Sequence, residues 1–122
     1  MLASLKPRGG KRWPRGQRFN LSARGVVAEE ACRTAVQQAR AQGRDALEAA
    51  QKAWAAPLGV HPGDGVVLAE VRPGRRSIAD VCQALESCGM TQAEVRDALD
   101  RLVEAGMAEP AVPPAGAQAG RA

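Results

Sequence analysis

The sequence predicts a mainly α-helical protein: a helical N-terminal segment, then a three-helix domain, with irregular tails at both ends. Three observations predict it. Apolar residues recur at i, i+3, i+4 and i+7 through most of residues 26–106. Two helix starts with capping-box spacing, Ser77 with Asp80 and Thr91 with Glu94, flank a turn containing Gly89. Aromatic residues make up 2% of the chain against 45% hydrophobic, so the core must be built from Ala, Val, Leu and Ile. That palette suits helices better than sheets. A chain of 122 residues has room for one modest core.

The elements follow in order. Residues 1–24 read as a mobile basic arm: Lys6, Arg8, Lys11, Arg12, Arg15, Arg18 and Arg24 with no acid, among Gly and Pro. Residues 25–60 carry helical spacing. Val27, Ala28, Ala31, Cys32, Ala35 and Ala39 mark one face, with Val36 beside it. Gly43 interrupts the pattern. Asp45 caps a second helix with Leu47, Ala50 and Trp54 turned inward, ended by Pro57 and Gly59. This helical pair either supports the rest of the chain or forms a dimer interface through its small residues.

Asp64 to Gly74 reads as a short helix with Val67, Leu68 and Val71 inward; a strand is the alternative, because the run is β-branched. Ile78, Val81, Cys82 and Leu85 give the next helix its buried stripe, and Val95, Ala98, Leu99, Leu102 and Val103 the one after. Gly106 is placed to end that helix. MAEPAV can pair as a short strand, and residues 113–122 read as a disordered tail.

The stretch TQAEVRDALDRLVEAGMAEP, after a Gly-containing turn, resembles the winged helix-turn-helix superfamily of bacterial transcription regulators. The resemblance covers about residues 64–112. It implies a helix-turn-helix or winged-helix-like domain in which Thr91–Leu102 is the recognition helix and the wing's first strand follows Gly106. A wing needs a second strand, and Pro110, Pro113 and Pro114 leave little room for one. The expected wing is therefore reduced.

On this reading the chain is a small DNA-binding protein, a regulator of transcription. Thr91 and Gln92 stand where a helix start meets phosphate or base edges, Gln92 suits adenine, and Arg96 suits guanine. Arg72, Arg75 and Arg76 form a backbone clamp. Lys11, Arg12, Arg15 and Arg18 of the arm add phosphate contacts, and Trp13 is placed to stack on a base or lie over a sugar. A solubilising tail, or one docked on an acidic protein, is the plainer account of the arm. Charge complicates the picture. Residues 64–110 carry −4, and the third helix sets Glu94, Asp97, Asp100 and Glu104 against Arg96 and Arg101, with Asp97 and Arg101 spaced to pair. The second reading is a protein-interaction module whose acidic face docks a partner while the arm holds nucleic acid or an acidic surface.

Other classes find little support. No nucleophile–base pair, phosphate loop or metal-ligand cluster is visible, so no enzyme, cofactor or metal is expected. Cys32, Cys82 and Cys88 fit no zinc or redox spacing; Cys32 and Cys82 fall on apolar faces as small hydrophobes. His61 is a loop histidine. No apolar run reaches the ~18 residues of a membrane span, and the N-terminus has no signal-peptide stretch, so a cytoplasmic protein is expected.

Overall fold

The computed structural model describes residues 13–111, and Lys11 and Arg12, like the 113–122 tail, lie outside them. The described residues hold five α-helices and a small antiparallel sheet. β1 (Arg18–Leu21) leads into α1 (Ala23–Arg40). Ser22 makes that junction: its Oγ accepts from Gly25 N at 3.1 Å and donates to Gly106 O at 2.6 Å. α1 folds back on α2 (Arg44–Ala55) through Gly43, whose φ of +104° suits only glycine well. Gly43, not Asp45, is the cap residue; Asp45 sits within the first turn, where an acid favours the helix dipole. Trp54 closes the pair by donating its Nε1–H to Ala28 O at 2.9 Å.

After a 3-10 turn at Ala56–Leu58 come α3 (Asp64–Val71), β2 (Arg76–Ser77), α4 (Ile78–Leu85), α5 (Gln92–Glu104) and β3 (Ala108–Pro110). The β-branched run after Asp64 is thus helical. Val67, Leu68 and Val71 are fully buried at helical spacing, a pattern a strand would have split between two faces. Both capping boxes form: Ser77 and Asp80 exchange bonds of 3.0 Å, and Thr91 and Glu94 exchange bonds of 2.8 and 3.1 Å.

The sheet order is β2-β1-β3, with Phe19 opposite Arg76 on one side and Pro110 on the other. β3 therefore has its partner, but from the N-terminal side of the chain. This corrects the expectation that residues 1–24 form a mobile arm: residues 18–21 are the middle strand of the sheet. Phe19 is wholly buried among Leu68, Ile78, Leu99, Leu102 and Met107, and withdrawing such a ring from water is worth roughly 1.5–3 kcal/mol.

The helical pair packs on this body rather than standing apart. Cys32 approaches α3 so closely that a Cβ on Gly65 would meet its Sγ at 2.5 Å. Gly25 is tighter still, since a Cβ there would lie 1.9 Å from Met107 O. The inward face of α1 is Gly25, Ala28, Glu29, Cys32 and Ala39. Val27, expected inside, is 67% exposed, because the helix turns its Ala28 and Cys32 side toward Trp54 and α3.

One ionic contact braces α3 against α5, and a second ties the helical pair to this body. Asp64, 1% exposed, takes a bidentate contact from Arg101 at 2.8 and 2.9 Å and also accepts from His61 N at 3.0 Å. Arg101 thus turns to α3, not to Asp97 one helical turn back. Arg72 bridges Glu29 and Glu30 of α1 at 2.5 and 2.8 Å, and Arg33 shares Glu29 at 2.6 Å. Burial pushes the Glu29 carboxyl up, but the bonds from Arg33 and Arg72 outweigh it and hold it below 4.5.

Replacing Asp64 with Ala strands the Arg101 charge and the His61 N–H. The loss should be about 2–4 kcal/mol in urea unfolding, toward the lower end because Arg101 keeps some water contact. A depressed folded pKa contributes stability that is present above the unfolded value and lost as pH falls through the folded one. Unfolding midpoints should accordingly drop as pH falls below 4.5, and Glu29→Gln should flatten that acid limb.

Candidate nucleic-acid interface

Residues 13–18 determine what the start of α4 and the start of α5 present to solvent. Pro14 and Gln17 close a turn, with Gln17 N donating to Pro14 O at 2.9 Å. The segment then crosses the first turn of α4. Ile78 N donates to Gln17 O at 3.1 Å and Ala79 N to Arg15 O at 3.2 Å. Ser77 Oγ takes the next helix donor, Asp80 N. The N–H groups that a helix start offers to a phosphate are thus already bonded in α4.

Arg15 continues onto α5, where its Nη1 donates to Gln92 Oε1 at 3.0 Å. Arg96 points the same way: it is 9% exposed, and its Nη1 donates to Trp13 O at 2.5 Å. Gln92 and Arg96, expected to read bases, instead hold the N-terminal segment. Thr91 is exposed, with its hydroxyl engaged in the capping box. Trp13 packs edge-on against Phe19, with ring centroids 5.3 Å apart and planes at 87°, and joins the rim of the core. Its ring is not offered to a base.

The three clamp arginines do not act as one group. Arg72 is committed to Glu29 and Glu30, and Arg76 lies 3.3 Å from Glu70. Arg75 is exposed at the tip of the turn before β2. Its φ is +54°, a conformation that costs a non-glycine residue about 1 kcal/mol or more. Asn20 Oδ1 accepts from Arg75 N at 2.7 Å, and Arg18 Nη1 donates to Arg75 O at 2.6 Å, so β1 holds the turn from both ends. Arg18 also stands 3.5 Å from Asp80. The cations gathered on this face are Arg15, Arg18 and Arg75, around the start of α4.

Two of the three thiols are held in the protonated form by burial. Burial raises the pKa of Cys32, reinforced by Glu29; burial also raises that of Cys82, against Arg15 and Arg96. Cys88 is exposed. His61 accepts from Gly63 N through Nδ1 at 2.9 Å, a bond internal to its loop. Among the described residues no three His, Cys, Asp or Glu side chains converge as a metal site, and no helix is long and apolar enough to cross a membrane.

The strand β1 is the structural feature that residue patterns did not reveal. Its one signal is the alternation Arg18, Phe19, Asn20, Leu21, four residues long, inside a stretch dominated by Gly, Pro and cations. Comparison with protein-family models, with curated proteins and with solved structures finds no match to this chain.

Arg96→Ala removes the anchor of Trp13. It should cost about 1–3 kcal/mol, since a buried donor–acceptor pair is broken. It should also raise the rate of proteolytic cleavage near Pro14–Gln17, read by mass spectrometry of limited digests. Unchanged stability and cleavage would show the bond to be dispensable.

Proposed function

We propose that this chain is a small DNA-binding protein, a regulator of transcription, that grips the phosphate backbone of duplex DNA. The grip comes from the basic N-terminal segment with Arg15, Arg18 and Arg75. In this reading α5 is a scaffold and not a base reader. The observation that carries it is the course of residues 13–21: the basic segment is laid over the starts of α4 and α5, with Arg15 bonded to Gln92 and Arg18 to the Arg75 turn. A guanidinium has five N–H donors, and each of those bonds uses one, so both side chains keep donors for phosphate. Lys6, Arg8, Lys11 and Arg12 precede this face in the chain and add +4 of charge without an acid.

Duplex is favoured over single strands. Single-strand binders stack bases on exposed aromatic rings. Here Phe19 is wholly buried, Trp54 is 9% exposed, and Trp13 is packed on Phe19. No other aromatic residue occurs in the sequence. Specificity through Arg96 is disfavoured, because reaching guanine would release Trp13 and leave its part-buried carbonyl without this bond.

The test is a salt series with mixed-sequence duplex and the full chain. Replacing Lys6, Arg8, Lys11 and Arg12 with Gln should lower the slope of log affinity against log salt by roughly 0.9 for each phosphate that is no longer neutralised. Arg15→Ala with Arg75→Ala should weaken binding to all duplexes alike. An unchanged slope, or tighter binding to single strands, would overturn the reading.

A further inference from the structure

The two flanks of α5 face different surroundings. Gln92 and Arg96 meet the N-terminal segment. Across the buried stripe of Val95, Ala98, Leu99 and Leu102, the other flank carries Glu94, Asp97 and Arg101. Glu94, Asp97 and Arg101 recur at spacings of three and four, so they run along one side of the helix for about 10 Å, and Met90 stands just before the Thr91 cap. Opposite them stand α3 and the His61 loop, and between lies a cleft of about 450 Å³.

The cleft's chemistry is mixed in a particular way. Its apolar surface comes from Val66, Met90 and Cys88. Val66 is 40% exposed, and it and Val27 are the exposed large hydrophobic residues of the described chain. The charged surface comes from three carboxylates and one guanidinium. Asp64 and Arg101 neutralise each other, which leaves Glu94 and Asp97. Glu94 spends Oε1 on the Thr91 N–H, and Asp97 makes no salt bridge among the described residues.

We propose that this cleft between α3 and α5 is a docking groove for a basic, aliphatic segment of a protein partner: an extended stretch in which Leu- or Met-like side chains cover Val66 and Met90 while a Lys or Arg meets Asp97 and Glu94. The commitment follows from charge complementarity. An acidic segment is repelled by the two carboxylates, and a purely apolar one covers Glu94 and Asp97 while adding no cation to the single guanidinium that Asp64 already engages. The length of that flank fits a strand-like segment of about three residues at ~3.3 Å each. The groove lies on the flank of α5 away from Arg15, so it goes beyond the nucleic-acid reading and does not depend on it.

The experiment uses the full chain and a fluorescent synthetic peptide of leucine, lysine and arginine, with a matched peptide carrying glutamate in place of the cations. Anisotropy should show binding of the basic peptide and not of the acidic one. Asp97→Asn combined with Val66→Ser, both on partly exposed positions, should weaken it roughly three- to tenfold. Arg15→Ala with Arg75→Ala should leave it unchanged. Amide chemical shifts of the unmutated chain, titrated with the basic peptide, should move at His61, Val66, Cys88, Met90 and Asp97. Absence of binding, equal binding of both peptides, or shifts centred elsewhere would each overturn the proposal.

Discussion

The structure depends on β1 lying between β2 and β3. Neither of those strands touches the other, and each is too short to persist alone. The four residues of β1 hydrogen-bond to both, and Phe19 drops from that ladder into the centre of the helices. Ser22, next in the chain, starts α1 and bonds back to the Gly106–Met107 turn. Gly25 then lets α1 rest on the Met107 carbonyl. One short strand therefore sets where α1 begins, how the chain leaves α5, and where the basic segment lies.

This placement decides what the starts of α4 and α5 present to solvent. In a groove-reading protein the starts of the two helices are open. Here carbonyls of Arg15 and Gln17 close the first, and Arg15 bonds the second. The charge imbalance of α5 stops being a contradiction once its flanks are separated. Its arginine at position 96 serves the fold, its arginine at 101 neutralises Asp64, and Glu94 and Asp97 look toward the α3 side. Positive and negative surfaces are divided by a helix rather than mixed along it.

Much of the fold was legible in the sequence because its signals are local. Capping boxes at Ser77–Asp80 and Thr91–Glu94, the stripe through Val95, Leu99 and Leu102, and the interruption at Gly43 each depend on residues within one or two helical turns. The candidate site was legible only as a set of cations. What decides their use is pairing across the chain: Arg72 with Glu29, Arg101 with Asp64, Arg96 with Trp13 O. Spacing carries no information on such contacts. Asp97 and Arg101 had the right spacing to pair, yet the more deeply buried Asp64 has greater need of a counter-charge and takes the guanidinium. Likewise β1 could not outweigh its surroundings, since four alternating residues become a strand only when two distant strands accept them.

The bond from Arg96 to Trp13 spans 83 positions of sequence, and that from Ser22 to Gly106 spans 84. Contacts of that separation close large loops, and their entropy must be met before they return any stabilisation. The helices between depend on local bonds, whereas the three-stranded sheet is complete only with residues 108–111. The same chain therefore pairs its first strand with its last, and the cover over Phe19 is complete only when both ends of the described residues are in place.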